Sequence, residues 1–139
     1  LAVLIDTSVL VNVERRRLSL ERAVGERERA ISVITASELL HGVHRATDDR
    51  LRARRQAFVE YLISSIEPLP ITITVARAHA EIWAGLERNG EAIGAHDMWI
   101  AATAVSHGME IATANANEFE RVPGLSVVDV ESGSASTGA

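Results

Sequence analysis

The 139-residue sequence contains no cysteine and no lysine, only five aromatic residues and three prolines. Without cysteine there is no disulfide, no thiol nucleophile, no thiolate zinc site and no iron–sulfur cluster. Without lysine there is no P-loop, no Schiff base and no phospho-receiver chemistry, all of which need that amine. So few aromatics leave no base-stacking platform of the kind an OB-fold uses. Long hydrophobic runs are missing too. The longest stretch free of formal charge, Met98 to Met109, has 12 residues, short of the ~20 that span a bilayer. No charged-then-apolar leader precedes a cleavage site, so the cytoplasm is the expected address.

What is present reads as a globular chain. With 47% hydrophobic and 24% charged residues, disorder is excluded, and the length fits one compact domain. That domain is expected over residues 1–130, with 131–139, small and polar after Glu131, as a flexible tail. The net charge of -5 is unevenly spread: residues 1–60 hold 11 basic and 9 acidic groups, residues 61–139 hold 3 and 10. All 14 basic residues are arginine, whose planar fork pairs with phosphate oxygens through two hydrogen bonds. An Arg- and Ala-rich proteome yields the same bias without any such role.

Short apolar runs alternate with helical patterns. Strands are expected at Ala2 to Ile5, Ala30 to Ile34, Ile111 to Thr113 and Ser126 to Asp129. Helices are expected over Val9 to Arg17, over Leu20 to Glu28 behind a Ser19 cap, from Thr35, from Asp48, over Thr74 to Asn89, and over Met98 to His107 ending at Gly108. Pro68 and Pro70 bracket a strand end or loop. The helix from Asp48 is expected to turn Leu51, Phe58, Tyr61 and Leu62 inward; Trp83 and Trp99 also read as core. Strands separated by helices imply parallel pairing, hence an α/β fold with helices on both faces of a small parallel sheet.

Sites in such sheets form at the carboxyl ends of the strands, and acids gather there. Asp6 follows the first strand; Glu38 falls in the first turn of the helix after the second; Asn115, Glu118 and Glu120 follow Thr113; Asp97 starts the helix leading to Ile111. Each alone has an ordinary reading. Asp6 and Asp97 can cap helices, and Thr35 with Glu38 forms a Ser/Thr-x-x-Glu capping box. Together they repel, because two unit charges about 4 Å apart cost on the order of 4 kcal/mol at an effective dielectric of 20. A divalent cation removes that cost, and oxygen-only ligands point to Mg²⁺ or Mn²⁺ rather than zinc.

Four stretches carry a family resemblance: Leu4-Ile5-Asp6-Thr7-Ser8-Val9-Leu10, Thr35-Ala36-Ser37-Glu38-Leu39, Ile93 to Ala102 around His96-Asp97, and Ala112-Thr113-Ala114-Asn115-Ala116-Asn117-Glu118-Phe119. In this order and spacing they resemble the PIN-domain ribonucleases, specifically the VapC toxins of bacterial toxin–antitoxin pairs, over Val3 to Val130. The resemblance implies that Asp6 and Asp97 hold the metal, that Glu38 completes the acidic site, and that Ser8 and Thr113 orient the ligands from behind. Where many relatives carry an Asp, this sequence has Asn115, which brings no charge, and Glu118 is the substitute acid. The implied reaction is Mg²⁺- or Mn²⁺-dependent hydrolysis of an RNA phosphodiester, with Glu38 positioning the attacking water or accepting its proton. The implied partners are an RNA substrate, a small cognate antitoxin and a second copy in a homodimer, with no membrane. The alternative is a weak or inactive PIN-fold module that binds RNA or a partner, which Asn115 keeps open.

Other features add less. Arg15, Arg16, Arg17, Arg45, Arg50, Arg52, Arg54 and Arg55 are candidates for tracking RNA phosphates, against the ordinary reading of solvated helix faces. His79 reads as a hydrogen-bonded core residue and His96 as a weaker candidate for phosphate contact, while His41, His44 and His107 show no constellation. A haloacid-dehalogenase-type phosphatase is excluded because the position two after Asp6 is Ser8.

Overall fold

A computed structural model describes residues 2–16 and 19–130; the expected tail at 131–139 lies outside the described residues. Four strands, β1 (Val3–Ile5), β2 (Arg29–Ala30), β3 (Glu110–Thr113) and β4 (Val127–Asp129), form one parallel sheet in the order β2-β1-β3-β4. Register pairs Leu4 with Ala30 on one side and with Ile111 on the other, and Ala112 with Val128. The helices are α1 (Thr7–Arg16), α2 (Leu20–Val24), α3 (Val33–Arg45), α4 (Asp49–Ser65), α5 (Ile73–Arg88), α6 (Ala95–His107) and α7 (Ala116–Phe119). No helix among the described residues is long and apolar enough to cross a membrane.

Side chains alternate across a strand, and the two central strands use both faces. Leu4 and Ile111 pack with Val75, Ile82, Leu86, Ile100 and Phe119 of α5, α6 and α7. Val3, Ile5 and Ala112 pack with Val9, Leu10, Leu39, Val43 and Leu62 of α1, α3 and α4. The layered α/β expectation therefore holds, with one core on each side of the sheet.

Element boundaries moved where caps override propensity. The second strand ends at Ala30 rather than Ile34, because Ser32, not Thr35, caps α3 and accepts from the Ile34 and Thr35 amides. The Thr35–Glu38 capping box therefore does not form, and Glu38 sits in the second turn of its helix. Helix α5 starts behind Thr72, whose hydroxyl accepts from the Val75 amide. Helix α2 stops at Gly25, whose φ of 72° suits glycine. Asp48 caps α4 and left-handed Gly108 ends α6, both as expected. Leu69 bridges Ser32, but the prolines on either side lack the amides to extend that pairing.

Two expected core residues lie outside. Tyr61 is 72% exposed and Trp83 53% exposed, since each sits just past the edge of its helix's buried stripe. His79 is stacked on Trp99 with ring centroids 3.5 Å apart and meets Trp83 edge-on. Among the described residues it has aromatic contacts but no hydrogen bond, and burial lowers its pKa.

Candidate active site

The chain adds β2 on one side of β1 and then returns to add β3 on the other. That reversal opens a crevice at the carboxyl ends of β1 and β3, the position where open parallel sheets present ligands. A cleft of about 620 Å³ lies at this site. The β1–α1 turn supplies Asp6, Thr7 and Ser8; α3 supplies Ser37, Glu38 and His41; α6 supplies His96 and Asp97; and the turn after β3 supplies Asn115.

Asp6 is 3% exposed and rigidly held. Its Oδ2 accepts from Ser8 Oγ at 2.6 Å and from Thr113 Oγ1 at 2.9 Å. Those two hydroxyls accept in turn from the Ala114 and Asn115 amides, at 3.0 and 2.8 Å. Each hydroxyl thus donates once and accepts once, so the chain after β3 is tied to the chain after β1. Both side-chain bonds fall on Oδ2. Burial raises the Asp6 pKa, and the hydrogen bonds from Ser8 and Thr113 oppose that rise.

Asp97 sits in the first turn of α6, whose cap is Gly94 with no side-chain bond. The helix begins three residues before the expected Met98, so Asp97 is a helical residue facing the cleft. Burial first, then its hydrogen bond with Glu118 and the charges of Asp6, Glu118 and Glu38, push its pKa up to about 8. Glu118 moves the other way, lowered by the hydrogen bond from Asp97 and held by the Gly94 amide at 2.9 Å. The opposite shifts favour holding the pair's first proton on Asp97. Glu118 is not among the cleft-lining residues; it touches the site through Asp97. Arg121, which donates to the Ala92 carbonyl at 2.6 Å, ties the loop before α6 to the end of α7.

Glu38 is gripped on both oxygens. Thr7 Oγ1 donates to Oε1 at 2.6 Å and lies 3.1 Å from the hydroxyl of buried Thr35, while His96 Nδ1 is 3.1 Å from Oε2. Thr7 carried no sequence signal beyond its place beside Asp6. His41 could have been found as the residue one helical turn after Glu38, on the same face. Gly94, whose contribution is a backbone amide, left no trace in the residue types. Glu120 is exposed and does not line the cleft.

The carboxylates fit a small hard cation. Among the described residues no three His, Asp or Glu side chains form a ready-made cage. Mg²⁺ rarely needs one, since it keeps several waters and binds through one or two carboxylates plus substrate oxygens. The elevated pKa of Asp97 is the electrostatic cost that such an ion relieves.

Some of the arginines singled out in the sequence have partners within the chain. Arg52 pairs with Asp49 and donates to the Ala46 carbonyl, Arg54 pairs with Glu14, and Arg55 donates to the Gly42 carbonyl. These contacts tie α4 to α1 and α3 at the surface, with the Arg52 and Arg54 side chains still 41% and 57% exposed. Arg15, Arg45 and Arg50 are exposed. Arg17 and the side chain of Arg16 lie outside the described residues.

Comparison with known proteins gives consistent matches. The PIN domain family model matches residues 3–125. A curated relative, ribonuclease VapC1 of Rickettsia felis, is 37% identical over 132 residues, covering 95% of this chain and 98% of its own. The tRNA(fMet)-specific endonuclease VapC of Salmonella typhimurium is 37% identical over 99 residues, 71% of this chain and 73% of its own. Among solved structures, DNA-bound VapBC of Salmonella typhimurium aligns with a TM-score of 0.83 at 31% identity, covering 93% of this chain and 98% of that one. VapBC-5 of Mycobacterium tuberculosis aligns with a TM-score of 0.75 at 30% identity, covering 94% and 98%.

Proposed function

The chain belongs to the PIN-domain family, and from that premise we propose that it is a metal-dependent endoribonuclease toxin of the VapC type. On this reading it hydrolyses RNA phosphodiesters, is neutralised by a small antitoxin, and pairs as a homodimer. The names of its relatives support the activity and the antitoxin. The observation that carries the chemistry is the meeting of Asp6 and Asp97, 91 positions apart in sequence, in one cleft, where burial first, then the Glu118 hydrogen bond and the charges of Asp6 and its acidic neighbours, raise the Asp97 pKa to about 8.

Asp6 and Asp97 would hold the ion. A bound Mg²⁺ or Mn²⁺ supplies charge for the phosphate and acidity for the attacking water. The rest of the work falls to side chains. Ser8 and Thr113 keep Asp6 in one orientation by engaging its Oδ2. Glu38, fixed by Thr7 and His96, accepts the proton of the attacking water at its carboxylate. Glu118 accepts the hydrogen bond of protonated Asp97 and so holds that carboxyl in place. The side-chain NH₂ of Asn115, a residue that lines the cleft, donates to a phosphate oxygen. tRNA is the substrate class favoured by the relative specific for tRNA(fMet).

The test is incubation of purified protein with total tRNA and ribosomal RNA in Mg²⁺ or Mn²⁺, with the new ends sequenced. Wild type should cut at discrete positions, EDTA should stop it, and Asp6→Asn and Asp97→Asn should abolish cleavage while circular dichroism stays native. Undiminished cutting by both variants would refute the assignment. The uncharged Asn115 favours a second reading, an inactive RNA- or partner-binding module. On that reading wild type does not cut, whereas Asn115→Asp regains metal-dependent activity.

A further inference from the structure

We propose that His96 reads the ribose 2′-hydroxyl of the substrate and so makes the cleft selective for RNA over DNA. The inference rests on the nuclease reading and deepens it. The imidazole has two distinct nitrogens, and a hydrogen bond at one decides the state of the other. Nδ1 lies 3.1 Å from Glu38 Oε2. A carboxylate only accepts, so the proton of the neutral ring sits on Nδ1. Glu38 is itself fixed from the other side by Thr7 at 2.6 Å, so neither partner is free to reverse that bond. Nε2, on the opposite side of the ring, is then an acceptor on a side chain that is 62% exposed and lines the cleft.

An acceptor is the unusual item here. A phosphate oxygen offers nothing to accept, since it has no proton at neutral pH. The 2′-hydroxyl offers a donor, and it is the group by which a protein tells RNA from DNA at a given position. The carboxylates Asp6, Asp97 and Glu38 also accept, but on the proposed reading they are committed to the cation and the water. Asn115 contributes a mixed amide. His41, from α3, lines the same cleft with no hydrogen-bond partner among the described residues; its tautomer is therefore unfixed, and the geometry singles out His96.

Two substitutions separate substrate contact from support of Glu38. In His96→Asn the amide NH₂ takes the place of Nδ1–H toward Glu38 but nothing replaces Nε2. In His96→Gln the amide reaches the position of Nε2 and restores an acceptor, while the bond to Glu38 is lost. The substrate is a short RNA stem–loop spanning a mapped cleavage position, alongside versions carrying a single 2′-deoxynucleotide at or beside that position. Mn²⁺ affinity, read by electron paramagnetic resonance, accompanies each rate.

Wild type should prefer the all-ribose strand over one of the deoxy versions by about three- to tenfold, the worth of one hydrogen bond. His96→Asn should bring that ratio close to one with Mn²⁺ affinity retained, and His96→Gln should keep part of the preference. A wild-type preference unchanged in His96→Asn would overturn the proposal, as would the lack of any preference in wild type. Failure of wild type to cut the all-ribose strand would instead bring down the nuclease reading, and this proposal with it.

Discussion

Asp97 is the residue whose environment is most out of line with its solution chemistry. Its pKa in the folded chain is pushed up to about 8, from 3.8, by burial, the hydrogen bond with Glu118 and neighbouring charge. The folded state therefore binds a proton that the unfolded state has already lost between those two values, and stability must fall as pH rises through that window. The raised pKa of Asp6 acts in the same direction. The lowered pKa of Glu118 acts oppositely, but only below its ordinary 4.5, and the lowered pKa of His79 acts oppositely below its ordinary 6.5. In EDTA, the melting temperature should decline from about pH 6.5 to about pH 8, above the range in which His79 opposes the fall, and Asp97→Asn should flatten much of that slope. A wild-type curve that rises over the same range would contradict the electrostatics. Asp6 and Asp97 were legible in the sequence because each adjoins a recognisable element end. The grip of Thr7 and His96 on Glu38 was not, because it joins residues 31 and 58 positions apart whose types are common anywhere.

At the scale of elements, the site depends on how each helix is started. Ser32 is fully buried and caps α3 by accepting from two amides, and α3 carries Glu38 and His41 into the cleft. Ser32→Ala strands those buried donors and should cost about 2 kcal/mol, the upper end for a cap. Asp48 caps α4 in an exposed setting, and Asp48→Ala should cost about 1 kcal/mol. Urea titration of both variants checks the order; an equal or smaller loss for Ser32→Ala would show that the cap is not what sets α3. The same caps explain where the sequence pattern misled. Val33 and Ile34 are β-branched and read as strand, yet Ser32 and the Leu69 pairing end the sheet just before them. Likewise Gly94 starts α6 without any side-chain cap, so nothing marked the extra turn that holds Asp97. Layer order and both apolar faces were readable, because Val3 to Ile5 and Ile111 to Thr113 are short, unbroken apolar runs between amphipathic helices.

For the whole molecule, the sheet order gathers chemistry that the chain disperses. Positions 6, 38, 97 and 115 meet because β1 and β3 are neighbours while β2 and β4 lie outside them. The charge imbalance follows the same division: the arginine-rich first part holds α1, α3 and α4 on one face of the sheet, and the acid-rich remainder supplies α5, α6 and α7 on the other. Arg52, Arg54 and Arg55 contribute ties from α4 to α1 and α3. The most direct measurement is calorimetric titration of the metal-free protein with Mn²⁺ near pH 7. Wild type should bind with release of a proton, seen as a heat that changes with buffer, and both Asp6→Asn and Asp97→Asn should lose the binding. Absence of binding by wild type at millimolar Mn²⁺, or equal binding by all three proteins, would contradict the account.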